Sequence, residues 1–194
     1  MTFQQGLFEA EPLSVVQDDE GGIRYLPAAI SVRLADRWFD LLMRKAHWTT
    51  YRRMMYDREV AVPRLMAGYR DDGESELPEP LAEAFAQMRS LVSAPFNSVG
   101  LNLYRDESDS VAPHGDKVEK LAVGQPIVVL SLGATRRMSI RPRRDPGHVR
   151  HVDLEAGSVL VMSYGSQLTH EHGIPKLTAH CGPRISLAFR CFDL

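Results

Sequence analysis

His114-Gly115-Asp116 is the first spacing in this chain that suggests chemistry. On a β-strand, positions i and i+2 point to the same face, so an imidazole and a carboxylate would meet there. A second imidazole, His172, lies further along and would close a third corner. Two imidazoles and one carboxylate with open coordination positions form a facial triad, which suits non-haem Fe(II) and oxygen chemistry. His-x-Asp alone recurs by chance in unrelated sequences, so the weight falls on what accompanies it. His170 stands two residues before His172 and competes for the same corner.

The last strand candidate supplies the second sign. In Arg184-Ile-Ser-Leu-Ala-Phe-Arg190, alternation puts Arg184, Ser186, Ala188 and Arg190 on one face and Ile185, Leu187 and Phe189 on the other. On an outward face the two arginines would be ordinary solvated groups. On an inward face, buried guanidiniums need anionic partners. A five-carbon keto-diacid fits, because it can chelate iron at one end and pair with an arginine at the other. Asn102 and Tyr104 share a face in the same way, opposite Val99, Leu101 and Leu103.

The elements that must position these groups follow from periodicity. Leu34, Trp38, Leu41 and Leu42 recur at helical spacing after Ser31, a good N-cap, and predict an amphipathic helix over 31–46. Leu81, Phe85 and Met88 predict a second helix over 81–92, stopped by Pro95. Between them, 60–69 reads as an extended segment interrupted by Pro63 and Gly68, and 23–27 as a short strand. From residue 96 the period is two, with strands predicted at 99–104, 127–133, 136–140, 158–162 and 184–192 and a turn at 142–147. Residues 1–22 read as polar and acidic. The fold class is mixed α/β (α+β). Residues 1–94 form an N-terminal part with the helices, and 95–194 form a strand-rich sandwich or barrel within one structural unit.

Composition narrows the class. The chain of 194 residues is 44% hydrophobic and 25% charged, which suits one soluble globular domain. A net charge of −2 excludes binding a polyanion through overall charge, so any nucleic-acid contact needs a local patch. Two cysteines, Cys181 and Cys191, make no disulfide scaffold and point to a reducing compartment. The start at residues 1–6 lacks a basic, then apolar, leader, and no apolar run reaches membrane-spanning length. The expectation is a cytoplasmic monomer.

Asn102-Leu-Tyr104, His114-Gly-Asp116, Pro126-Ile-Val-Val-Leu-Ser-Leu-Gly133, Gly157-Ser-Val-Leu-Val-Met162, His172-Gly-Ile-Pro175 and Pro183-Arg-Ile-Ser-Leu-Ala-Phe-Arg190 occur together and in this order. The series resembles the AlkB family of Fe(II)- and 2-oxoglutarate-dependent dioxygenases, closely over 95–192 and more weakly over 48–70. The resemblance implies a double-stranded β-helix (jelly-roll) core under a nucleotide-recognition lid that includes Val62-Pro-Arg64 and Gly68-Tyr69. It implies iron on His114, Asp116 and His172, the last chosen over His170 because the motif places the ligand just before a small residue, an apolar residue and proline. Arg184 would pair with the distal carboxylate of 2-oxoglutarate, helped by Tyr104 and Ser186. Asn102 and Arg190 would lie near its iron-chelating end, and O2 would complete the reaction.

For substrate, the resemblance implies alkylated DNA or RNA, with 1-methyladenine and 3-methylcytosine as the bases. Tyr69 is the first candidate to stack on a flipped base, ahead of Trp48 and Tyr51, with lid packing as the plainer role for each. Val118 stands where the family commonly carries an acid, which leaves Glu119 to contact a cationic base. Arg136, Arg137, Arg141, Arg143, Arg144 and Arg150 crowd one segment. Such a run is either a solvated face or a grip on phosphates by Arg141, Arg143 and Arg144, with Arg52, Arg53 and Arg64 adding to it. The alternatives are a related dioxygenase acting on a protein or small molecule, and a jelly-roll binding module without catalysis.

Overall fold

The computed structural model describes residues 11–55, 58–74 and 76–193. Residues 1–6 and the side chain of Arg53, both used above, lie outside what it describes. The fold is built on two facing antiparallel sheets. The larger contains β1 (Leu13–Val16), β2 (Ile23–Leu26), β3 (Thr49–Met55), β4 (Arg58–Arg70), β5 (Ser98–Tyr104), β7 (Ile127–Gly133), β10 (Val159–Met162) and β12 (Arg184–Arg190). Its order is β1-β2-β10-β7-β12-β5-β4-β3. The smaller contains β6 (Val111–His114), β8 (Arg136–Pro142), β9 (Arg150–Leu154) and β11 (His170–Ile174), in the order β6-β11-β8-β9. This is the jelly-roll arrangement that the motif series implied.

Two helices cover the outer face of the large sheet. α1 (Val32–Lys45) starts at Ser31, whose side chain accepts from Leu34 N, and ends on Arg44 and Lys45, cations suited to a helix C-terminus. It buries Ala35, Trp38 and Leu42. α2 (Leu81–Leu91) buries Leu81, Ala84, Phe85 and Met88, and its Phe85 meets Phe189 edge-on at 5.1 Å. Trp38 Nε1 donates to Glu83 Oε2 at 3.0 Å, tying the helices together. Each large apolar side chain buried here stabilises by about 1.5–3 kcal/mol.

Alternation along the large sheet gives its two faces different jobs. Val99, Leu101, Leu103, Ile185, Leu187 and Phe189 join the helix-side core. Tyr104, Ile127, Val129 and Ala188 face Met138, Ile140, Val152 and Leu154 of the small sheet. At one end this inner layer turns polar.

The structure departs from expectation in the first half. The large sheet runs across the 94/95 division, because β1 to β4 are hydrogen-bonded into it. The polar stretch 1–22 contains β1, paired to β2 through a bulge. The segment around Pro63 is one strand, since that proline sits exposed and its carbonyl accepts from Ser110 N at 2.8 Å. No helix among the described residues is long and apolar enough to cross a membrane.

Candidate active site

Strands β6 and β11 pair antiparallel so that His114 stands directly opposite His172. Their ring centroids are 4.6 Å apart. The approach depends on Gly173, where a Cβ would lie 2.8 Å from Val111 O and 2.9 Å from Pro113 N. His114 Nδ1 lies 2.9 Å from Ala112 O. A carbonyl only accepts, so Nδ1 carries a proton, and Nε2 is the ring nitrogen left to meet a metal. His172 is 8% exposed, and burial, with His114 beside it, pushes its pKa down to about 4. It is therefore neutral at physiological pH, the form that ligates metals.

Asp116 lies just beyond β6, and a third helix holds it. The backbone N–H of Asp116 donates at 3.1 Å to Gln167 Oε1 on α3 (Tyr164–Thr169). Its carboxylate oxygens accept from Arg190 Nη2 at 3.0 and 3.1 Å. Burial pushes this carboxyl up, but Arg190 and the two histidines outweigh it and hold the group below the usual value. With Asp116 turned to Arg190, no three His, Cys, Asp or Glu side chains among the described residues already converge on one ion. The donor types still fit Fe(II): two imidazoles and a carboxylate with lone pairs to spare.

His170 shares β11 but not this site. It bonds Thr169 Oγ1 at 2.9 Å and lines a separate groove with Asp145, His148 and Arg150. Burial, then Arg150, lowers its pKa.

A narrow cleft runs inward from the histidines between the sheets. Arg64, Asn102, Tyr104, His114, Asp116, His172, Arg184, Ser186 and Arg190 all line it. Register explains the gathering: Arg184 pairs across to Tyr104, and Ser186 to Asn102. Asn102 Oδ1 accepts from Arg64 Nε at 2.7 Å, and its Nδ2 faces Ser186 Oγ at 3.5 Å. At the inner end, Arg184 is 1% exposed. Its Nη2 donates to Ser131 Oγ at 2.9 Å, while Nε and Nη1 have no hydrogen-bond partner. Its guanidinium lies over the Tyr104 ring at 5.3 Å. Burial pushes the Arg184 pKa down to about 10 and the Tyr104 hydroxyl up. Two orphaned buried N–H groups on a cation are costly unless an anion meets them. That is the fit expected of a carboxylate ligand.

The expected substrate contacts fare differently. Tyr69 pairs with Val99, which puts it on the helix side of the sheet, where its hydroxyl accepts from His47 N at 2.8 Å. Its ring therefore packs on the helix-side core, away from the cleft, although the residue also borders the groove that Tyr51 lines. Trp48 also packs on the helix-side core. Tyr51 is 61% exposed and lines a groove of about 690 Å³ with Met66, Arg70, Arg190 and Phe192, floored by Gly68 and Gly100. Glu119 sits exposed on a 3-10 turn, Val118–Lys120, and lines neither the cleft nor the groove beside Tyr51, so the geometry lends no support to the role expected of it.

The arginine run is not one solvated face. Arg136 is buried, and Arg137 pairs with Asp153 at 2.7 Å. Arg141 and Arg143 both pair with Glu171, at 2.9 and 3.3 Å, and Arg144 is exposed. Arg143 also reaches over the His114–Asp116 loop, since a Cβ on Gly115 would clash with its Nη2. Sequence reasoning missed Gln167, for which no pattern gave a signal. It also missed the burial of Arg136, which alternation with Met138 and Ile140 would have shown.

The chain matches the 2OG-Fe(II) oxygenase superfamily over residues 22–190. It is 32% identical over 187 residues to alpha-ketoglutarate-dependent dioxygenase alkB homolog 3 of Bos taurus, covering 84% of this chain and 64% of that protein. It is 29% identical over 177 residues to DNA oxidative demethylase ALKBH2 of Bos taurus, covering 80% of this chain and 64% of that protein. It therefore spans just under two thirds of the length of these relatives. A solved structure of OsALKBH1, 19% identical, superposes with a TM-score of 0.56 over 88% of this chain and 96% of that chain, which speaks to fold alone. Because the match takes in both histidine strands and all but a few residues of the two sheets, the chain belongs to the 2OG-Fe(II) oxygenase superfamily, among AlkB homologues.

Proposed function

We propose that the protein is an Fe(II)- and 2-oxoglutarate-dependent dioxygenase that demethylates N-alkylated bases, 1-methyladenine and 3-methylcytosine, in DNA or RNA. Products would be formaldehyde, succinate, CO2 and the repaired base. The observation that carries the reading is Arg184. It is a buried cation with two unpaired N–H groups, in the same cleft as His114, Asp116 and His172. In this reading those three hold Fe(II), which supplies oxygen activation. Arg184 receives the distal carboxylate of the co-substrate through a two-pronged contact. Ser131 fixes one arm of its guanidinium, and Tyr104 covers its face. Asn102, Ser186 and Arg190 line the passage toward the metal end, where Arg190 also restrains Asp116.

The substrate half rests on the relatives' names and on the groove beside the cleft. That groove opens next to Arg190, and its glycine floor lets a flat base approach the sheet. Tyr51 replaces Tyr69 as the stacking aromatic. Phosphate contact falls to Arg144 and to Arg141 and Arg143, the last two already turned toward Glu171. Formaldehyde release from a panel of methylated DNA and RNA oligonucleotides, with iron and 2-oxoglutarate present, tests the reading. Release from 1-methyladenine or 3-methylcytosine is expected. Succinate formed with no formaldehyde from any oligonucleotide would instead favour a dioxygenase of protein or small molecules.

A further inference from the structure

Arg136 is a second buried cation, which does not itself line the cleft but packs on the Tyr104 ring that does. It is 1% exposed, yet its partners are all backbone carbonyls. Nη1 donates to Asp106 O at 2.9 Å, and Nη2 donates to Asp109 O and Pro175 O, each at 2.8 Å. Its Nε has no partner. The nearby Asp109 carboxylate is taken by Arg105, at 2.8 Å to each oxygen. Three carbonyl dipoles hold a guanidinium in place but do not cancel its charge.

The segments it joins are those that carry the site. Asp106 and Asp109 lie between β5, with Tyr104, and β6, with His114, and Pro175 directly follows β11, with His172. Arg136 also lies over the Tyr104 ring at 5.4 Å, and Arg184 over the same ring at 5.3 Å. Two unneutralised guanidiniums thus crowd one buried aromatic. Arg184, pushed down first by burial, is pushed down further by the charge of Arg136. An anion bound at Arg184 relieves that repulsion, so the second cation favours a ligand that brings one.

We infer that Arg136 is a positioning residue for the co-substrate: it clamps Tyr104 from β8 and adds a buried positive charge that makes the cleft select a dicarboxylate over a monocarboxylate. This rests on the 2-oxoglutarate reading above. The test is calorimetric binding, without oxygen, to the full chain loaded with Fe(II). The ligands are 2-oxoglutarate and 2-oxopentanoate, which has the same carbon chain without the distal carboxylate. In Arg136→Met, the Kd for 2-oxoglutarate should rise on the order of tenfold, from loss of one buried charge within several ångströms. The Kd for 2-oxopentanoate should not change. Arg136→Lys keeps the charge and should keep most of the preference. Equal weakening toward both ligands would mean a merely structural arginine and overturn the inference, as would an intact preference in folded Arg136→Met. Where that variant fails to fold, Arg136→Lys decides, and loss of its preference overturns the role of charge. A wild-type protein that binds neither oxo acid removes the 2-oxoglutarate reading itself, and this inference with it.

Discussion

Replacing Arg184 separates its charge from its shape. In the structure Nη2 donates one N–H to Ser131, and Nε and Nη1 have no partner, so the guanidinium keeps N–H groups free for a carboxylate, with the second Nη2 hydrogen completing a fork. Lysine keeps the charge and loses the fork. One lost hydrogen bond to a charged group is worth about 1.5–3 kcal/mol. At 1.4 kcal/mol per factor of ten, Arg184→Lys should weaken 2-oxoglutarate binding roughly 10- to 150-fold. Turnover at saturating co-substrate should fall much less, because the distal carboxylate is not the reacting end. Arg184→Met gives a second, opposite-signed readout. Without ligand, the wild-type protein bears the cost of two unmade N–H bonds on a buried cation, and methionine removes it. The ligand-free variant should gain about 1–3 kcal/mol, since apolar replacement of buried charge is often stabilising. For a chain of this length that is about 2–4 °C in Tm per kcal/mol. It should also lose the thermal shift that 2-oxoglutarate gives wild type. Titration calorimetry and thermal melts measure both arms. Wild-type affinity in Arg184→Lys, or a lowered Tm in ligand-free Arg184→Met, would refute the reasoning.

His172→Ala should abolish iron retention and turnover while His170→Ala keeps both, because only His172 faces His114; iron assays on the purified variants decide, and the reverse pattern would exchange the two. The His172 pKa, about 4 in the fold against 6.5 unfolded, means that the folded state prefers the neutral ring. That contribution is present in full above pH 6.5 and is lost as pH falls through 4. The metal-free protein should thus lose about 3 kcal/mol over that window, and a urea midpoint with the same pH dependence in His172→Asn would contradict it. Glu171→Gln should free Arg141 and Arg143, tightening oligonucleotide binding at low salt and steepening its salt dependence by up to about two released counterions. Replacing Arg141, Arg143 and Arg144 together should flatten that dependence, and an unchanged slope by fluorescence anisotropy in both variants would remove the phosphate role.

The strands that alternate cleanly were legible in the sequence. β7 occupies 127–133 as expected, and β12 begins at Arg184 with the predicted two faces. Both are central and buried, so their patterns report the sheet directly. β6 and β11 were not legible. Val-Ala-Pro-His and His-Glu-His-Gly-Ile have little strand propensity, and they are extended because β8 and each other supply the hydrogen bonds. Chemistry therefore pointed to His114 and His172 before any periodicity could place their strands. Tyr69 and Arg136 went astray for one shared reason. Residue type points Tyr69 to a base and a charge run points Arg136 to solvent, whereas alternation with Leu65 and Ala67, and with Met138 and Ile140, puts each inward. Face parity is the stronger constraint, because a residue cannot leave its face without shifting the register of the whole strand. A cation that parity forces into an apolar layer breaks the local rule for where charge belongs, and such breaks concentrate at functional sites. Arg184 and Arg136 break it side by side, around the same tyrosine, where a bound dianion would compensate both.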